Sequence, residues 1–299
     1  DYFMGLQVET EHINDEIHIQ QDINAFRSSL VYDCIERAMD LVEGGSVYSA
    51  DGGPTAGTIS AGDSLAALDE IVFNQKLLTM EQVLHAMSTN YEDMETVPAG
   101  PEIRAILLNK APKFGNDDER ADKWVVELED YIGSSYRYKY RSSKYGKGPV
   151  PCCYSYSQSP VTGNIAFGKS IGATPDGRKA GQPVNNGISP ANGSEKKGAT
   201  AACNSVMKLP SIWFQKGAIF NMRLSKGALD TDENKEKVIA MIKVLFENYG
   251  QQIQFNVVDN KVFKKAMEHP DEYKDLMVRV SGYSALFTSL SPECQMDVI

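Results

Sequence analysis

Histidine and cysteine are scarce in this 299-residue chain, four and five copies against 40 acidic residues. The cysteines are odd in number and none stands at metal-ligand spacing, so neither a disulfide framework nor a zinc site is supported, and no metal is expected. The histidines form no ligand or triad pattern: His12 and His18 lie in a polar stretch, His85 on a helix, and His269 at a helix end where its charge suits the dipole. Basic residues number 30, leaving a net charge of −10 and a pI near 5. With no basic stripe to neutralise phosphates, nucleic acid and anionic membrane are excluded as partners. No apolar run approaches membrane-spanning length and no leader pattern stands at Asp1, which gives the expectation of a reducing cytoplasm. The Gly- and Thr-rich stretch 44–62 has no Gly-x-Gly-x-x-Gly spacing and reads as a loop, not a phosphate cradle.

What is present suffices for a sizeable core, since 42% of the residues are hydrophobic. Phe26, Leu30, Cys34, Ala38 and Leu41 recur at helical spacing, predicting a helix over 22–42 that Gly44-Gly45 ends. Asp63 reads as the cap of a helix carrying Leu65, Leu68 and Val72, and Thr79 with Gln82 forms a capping box before another helix. Asp117-Asp118-Glu119 is a first-turn cluster favoured by the dipole of a helix bearing Trp124 and Ile132. Residues 131–156, rich in Tyr, Ser, Lys and Arg, read as an exposed excursion. A helix over 233–249, a strand over 252–258, a helix over 260–269 and a strand over 276–281 follow. Strand, helix and strand predict a parallel crossover pair, with Gly282 just past a strand's carboxyl end. Cys34, Cys203, Cys294 and the pair Cys152-Cys153 read as small buried hydrophobes.

Gly282 closes the strand-like run Leu276-Met277-Val278-Arg279-Val280 and opens Tyr283-Ser284-Ala285-Leu286-Phe287. A turn glycine is the plain reading, because glycine serves wherever φ is positive or close approach is needed. Other punctuated segments are Asp33-Cys34-Ile35-Glu36, Gly44-Gly45-Ser46-Val47-Tyr48, Asp63-Ser64-Leu65-Ala66-Ala67 and Pro112-Lys113-Phe114-Gly115-Asn116-Asp117-Asp118. They continue with Gly172-Ala173-Thr174-Pro175-Asp176-Gly177-Arg178, Ser189-Pro190, Ser205-Val206-Met207-Lys208-Leu209 and Gln254-Phe255-Asn256-Val257-Val258. In this order, and over nearly the whole chain, these segments resemble the glycyl radical enzymes, the superfamily that includes pyruvate formate-lyase. The resemblance implies an α/β fold, the C-terminal part of a ten-stranded barrel with the glycine loop inside it. It implies residues 1–160 as the end of a barrel domain and residues 161–299 as a glycine radical domain cut short. The start at Asp1 without methionine, and a helix begun at Ser291-Pro292 and stopped at Ile299, give the same expectation of a C-terminal piece.

The resemblance further implies that Gly282 carries the radical and that Arg279, Ser281 and Tyr283 support its loop. A radical at Cα is shared with the flanking nitrogen and carbonyl only when the centre can flatten, which a Cβ hinders. No bound cofactor is implied; an activating enzyme that uses S-adenosylmethionine and an iron–sulfur cluster installs the radical, which later passes to a cysteine thiol. In the family that cysteine lies upstream of the loop matched by Gly44-Gly45, so Cys152-Cys153 is rejected and the thiol is expected before Asp1. Gln158-Ser159-Pro160, the run 185–194 and the run 213–222 resemble the alkylsuccinate and benzylsuccinate synthases more than the diol dehydratases. That implies addition of a hydrocarbon to fumarate in anaerobic hydrocarbon degradation. Gln158 is then a candidate donor to a fumarate carboxylate, and Arg178 reads as a surface arginine beside a turn. The alternative enzyme is a dehydratase, a C–N or C–C lyase, or an aryl-acetate decarboxylase on a small polar substrate. A non-catalytic spare radical module is the third reading, and the long upstream match argues against it. The expected partners are the activating enzyme, the small-molecule substrates and further copies of the chain, with small accessory subunits as an option.

Overall fold

Short polar side chains set several helix starts in this chain, those of Asn24, Thr79, Thr231 and Ser291 among them. The computed structural model describes residues 1–48, 52–139, 154–159, 162–257, 260–280 and 282–298. In chain order its helices are α1 (Tyr2–Gln21), α2 (Ala25–Ser29), α3 (Thr58–Ala67), α4 (Met80–Ser88), α5 (Gly100–Asn109), α6 (Glu119–Ser134), α7 (Gly163–Ser170), α8 (Ala199–Met207), α9 (Asp232–Glu247), α10 (Asn260–Glu268) and α11 (Pro292–Val298). The strands are β1 (Asn221–Arg223), β2 (Gln254–Asn256), β3 (Met277–Val280) and β4 (Tyr283–Leu286). Thr79 caps α4 through the expected capping box, accepting from Gln82 N while Gln82 Oε1 accepts from Thr79 N. Ser291 accepts from Cys294 N at the start of α11, with Pro292 first in the helix as expected. No helix among the described residues is long and apolar enough to cross a membrane.

The described residues divide into two compact units. The first comprises Asp1–Pro54, Glu129–Ser157 and Ile212–Lys216. Its core is aromatic: Tyr136, Tyr154, Tyr156 and Phe214 are buried, with ring centroids 4.6 to 5.8 Å apart along the cluster. Each buried phenol finds a partner, as amphipathic rings require. Tyr156 donates to Glu129 Oε2 at 2.6 Å, Tyr136 donates to Gln7 Oε1 at 2.7 Å, and Gln7 Nε2 donates to Tyr154 at 3.0 Å. The expected exposed excursion is thus corrected at Tyr136, Tyr154 and Tyr156, whereas Tyr131 and Tyr138 are exposed as expected; its middle, 140–153 with Cys152 and Cys153, lies outside the described residues.

The expected helix over 22–42 is also corrected. Asn24 starts only the five residues of α2, and Asp33 and Ala38 sit at φ 79° and 49°. Side chains have captured the backbone here: Asp40 accepts from Asn24 N and Val42 N, and Ser28 Oγ accepts from Leu41 N. Phe26 and Leu30 are exposed, while Cys34 is buried within the turns.

The second unit comprises Thr55–Leu128, Gln158–Ser211 and Gly217–Ile299. One apolar cluster joins α3, α4 and α5 through Ala67, Ile71, Val83, Tyr91, Ile103 and Leu107. A smaller one joins Phe263, Ala266, Val278, Phe287 and Val298. Asp63 is an interior residue of α3, not its cap; the helix starts five residues earlier, behind Gly57 at φ 85°. The Gly172–Arg178 segment is a buried crossroads. Tyr91 Oη donates to Thr174 O, Arg104 Nε to Gly177 O and Lys113 Nζ to Asp176 O, at 2.7 to 2.9 Å. Arg178 is buried rather than on the surface, donating to Gln182 O at 2.6 Å and to Gly172 O.

β2 pairs in parallel with β1, Asn221 opposite Gln254, and β3 pairs with β4 antiparallel, Val280 opposite Tyr283. Among the described residues the expected parallel ladder between 252–258 and 276–281 is therefore not formed. In its place the Asn256 side chain takes both backbone groups of Arg279, donating to its O and accepting from its N, each at 2.9 Å.

Candidate active site

Gly282 occupies the two-residue connection of the β3–β4 hairpin, at φ 92°. Such connections demand left-handed backbone, which glycine adopts without a Cβ penalty. Nothing lies within 4 Å of where a Cβ would stand. The glycine is thus required by backbone conformation and not by crowding, and its Cα is open to approach within the second unit.

Both polar groups of Gly282 are held. Its N–H donates to Gln254 Oε1 at 2.9 Å and its carbonyl accepts from Arg279 Nη2 at 2.8 Å. Arg279 Nη1 also donates to Ser284 Oγ at 2.8 Å, tying the guanidinium across the hairpin. Gln254 is buried, and its Nε2 donates to Asn221 Oδ1 on the neighbouring strand. Asn221 N in turn donates to Ser189 Oγ at 2.8 Å. The residues predicted to support the loop fall in two places. Arg279 and Tyr283 flank Gly282, with Tyr283 68% exposed, whereas Ser281 lies outside the described residues, as does Val258 of the Gln254 segment.

Gln158 is drawn elsewhere. It is fully buried, its Nε2 donates to Thr58 Oγ1 at 2.9 Å, and its backbone pairs with Gly217 and Ile219. The residue that sequence reasoning missed is Gln254, although a signal was present. In Gln254-Phe255-Asn256 the polar residues alternate with an apolar one, and period two puts both amides on one side of the strand. Those two amides reach the backbone of Gly282 and Arg279.

Arg279, Val280 and Asn256 also line a cavity of about 680 Å³ whose other walls include Asp63, Lys113 and Asp176. Burial pushes the Asp63 carboxyl up to about 7, against the opposing pull of Lys113. Its Oδ1 accepts from Phe114 N at 2.7 Å, while Oδ2 has no partner. Burial pulls the Lys113 ammonium down from its ordinary value. Cys34 and Cys203 are poorly poised as nucleophiles: burial raises the Cys34 thiol, and pushes that of Cys203 up to about 11. Among the described residues no three His, Cys, Asp or Glu side chains converge as metal ligands would.

Comparison with known proteins places these features. Residues 1–167 match the pyruvate formate lyase-like family and residues 184–288 match the glycine radical domain. A probable dehydratase of Escherichia coli, YbiW, is 36% identical over 300 residues, covering 100% of this chain and 36% of that protein. The trans-4-hydroxy-L-proline dehydratase of Clostridioides difficile is 33% identical over 302 residues, again 100% of this chain and 36% of the relative. A solved structure concerned with 1,2-propanediol dehydration in Roseburia inulinivorans superposes with a TM-score of 0.91 at 35% identity, covering 99% of this chain and 36% of that one. The chain thus spans about a third of the length of the relatives it matches. The α/β fold is that of the pyruvate formate lyase-like barrel proteins, and the chain belongs to the glycyl radical enzyme superfamily.

Proposed function

We propose that this chain is the glycine-bearing part of a glycyl radical dehydratase or related lyase that eliminates a small group from a small polar substrate. The observation that carries the reading is Gly282 at a hairpin tip, with an open Cα and both flanking polar groups anchored. The dehydratase names of the relatives support the elimination class over the fumarate addition suggested by the runs 185–194 and 213–222, which draws no support from those relatives. On this reading an activating enzyme using S-adenosylmethionine and an iron–sulfur cluster takes one hydrogen atom from Gly282 Cα. The electron left behind is shared between the amide nitrogen and the carbonyl. Arg279 and Tyr283 hold the loop, joined by Ser281. The thiol that later gives its hydrogen to Gly282 is proposed to lie upstream of Gly44-Gly45, as the resemblance to the family implies. Residues 1–160 serve as barrel and 161–299 as the radical-bearing part.

The test uses the full-length parent, activated without oxygen. An organic radical signal split by the single remaining α-hydrogen is expected, and it should vanish in Gly282→Ala; a signal that persists in the variant removes the assignment. The same activated protein is then offered 1,2-propanediol, glycerol and trans-4-hydroxyproline, and separately fumarate with a hydrocarbon. Release of water from a member of the first group supports the dehydratase reading. Turnover confined to fumarate with a hydrocarbon replaces it with addition.

A further inference from the structure

We infer that Gln254 is a positioning residue for the glycine radical, acting with Arg279 as a push–pull pair across Gly282. The inference rests on the assignment of Gly282 as the radical residue and goes beyond it. A backbone N–H can only donate, so the Gln254 atom 2.9 Å from Gly282 N must be the amide oxygen. That fixes the amide's orientation and turns Nε2 to Asn221 Oδ1, its register partner on β1. Gln254 N donates to Phe220 O at 2.9 Å, anchoring the residue in the sheet. The amide that faces the glycine is buried, oriented by a neighbour and held by the main chain.

The chemistry of the two contacts is opposite in sign. A neutral oxygen accepting from the Gly282 N–H raises electron density on the nitrogen, the donor side of a Cα radical. The Arg279 guanidinium on the Gly282 carbonyl, a charge-assisted bond of 2.8 Å, strengthens the acceptor side. Both act where spin is shared, and both are in place before the radical forms. The choice of a side chain matters as well. At the hairpin tip the Gly282 N–H is bonded to a side-chain oxygen and not to a strand. Flattening Cα turns φ away from 92°, and a glutamine side chain can follow that turn where a rigid ladder bond could not.

The experiment is radical spectroscopy on the anaerobically activated full-length parent and on Gln254→Leu and Gln254→Glu. Leucine removes every contact of the amide, the long one from Gln252 Nε2 included; glutamate keeps an acceptor for Gly282 N–H and loses the donor to Asn221. In Gln254→Leu the radical should decay about tenfold faster, roughly what one hydrogen bond is worth, with an altered α-hydrogen splitting. Gln254→Glu should restore most of the lifetime, a rescue that a purely packing role does not predict. Should the leucine variant fail to fold, the wild-type radical in heavy water still decides. Loss of a strongly coupled exchangeable proton on the glycine nitrogen, in hydrogen-bond geometry, is the expected result. A Gln254→Leu radical identical to wild type in yield, splitting and half-life overturns the inference while the Gly282 assignment stands. Wild-type protein without any glycine doublet sinks the assignment instead, so the two failures are distinguishable.

Discussion

Asp63 shows how far a buried side chain can depart from its behaviour in water. An unfolded aspartate loses its proton near pH ~4, whereas folded Asp63 keeps it to about 7 because burial disfavours the charge. Between these values the folded state binds more protons than the unfolded one, so stability falls as pH rises through that window and levels off above it. Asp63→Asn keeps an oxygen for Phe114 N–H and cannot ionise. Its unfolding free energy should lack that slope, measured as the wild-type minus variant difference in denaturant midpoints from about pH 4 to about pH 8. A difference that is flat across the window would mean that Asp63 is ionised in the fold. The helical pattern around Asp63 was legible in the sequence, but its depth was not. Read as a cap it would be exposed, and only the packing of α3 puts it inside.

Among the elements, α3 carries the tightest constraint. Its sequence, Thr-Ile-Ser-Ala-Gly-Asp-Ser-Leu-Ala-Ala, is mostly small residues, which lets α6 approach closely. A Cβ on Gly62 would lie 2.4 Å from Val125 Cγ2 and 3.1 Å from the Val125 backbone nitrogen and Cα. Alanine gains about 1 kcal/mol in helix propensity over glycine, but overpacking against a backbone that cannot yield costs ~1–3 kcal/mol. Gly62→Ala should therefore destabilise by about 1 kcal/mol in urea titration, and adding Val125→Ala should relieve most of the contact. A stabilised single variant would show that α6 can move aside. Element-level legibility divides along the same line. The Thr79–Gln82 box, α9, α10 and the Ser291 cap follow from local chemistry, and all form where the residues predict. The segment 22–42 has an equally good apolar period, yet Ser28, Asp33 and Asp40 turn it into loops. Strand partners were the least legible, because Asn256 replaces a ladder between β2 and β3 by two side-chain bonds, a substitution that period alone does not reveal.

At the scale of the whole molecule, the hairpin that presents Gly282 also divides a core. Phe263, Ala266 and Val278 precede the glycine, and Phe287 and Val298 follow it, in one buried cluster. A glycine radical meeting dioxygen takes it up at Cα, and the main chain breaks there. Activated parent exposed to air should thus give a new C-terminus at or next to Gly282, while unactivated protein and Gly282→Ala stay whole; the site is read by mass spectrometry. The pieces should not part at once. Phe287 is fully buried, and burying such a side chain stabilises by roughly 1.5–3 kcal/mol. Phe287 N donates to Leu276 O at 2.7 Å, Arg223 Nη2 to Asp297 O at 2.9 Å, and Asn164 Nδ2 to Asp297 Oδ2 at 3.1 Å, all across the cut. Gel filtration without denaturant should therefore return the cut protein at its original size, although two bands separate once it is denatured. Dissociation under native conditions would mean that the peptide link through Gly282, and not the packing around Phe287, holds the last segment in place.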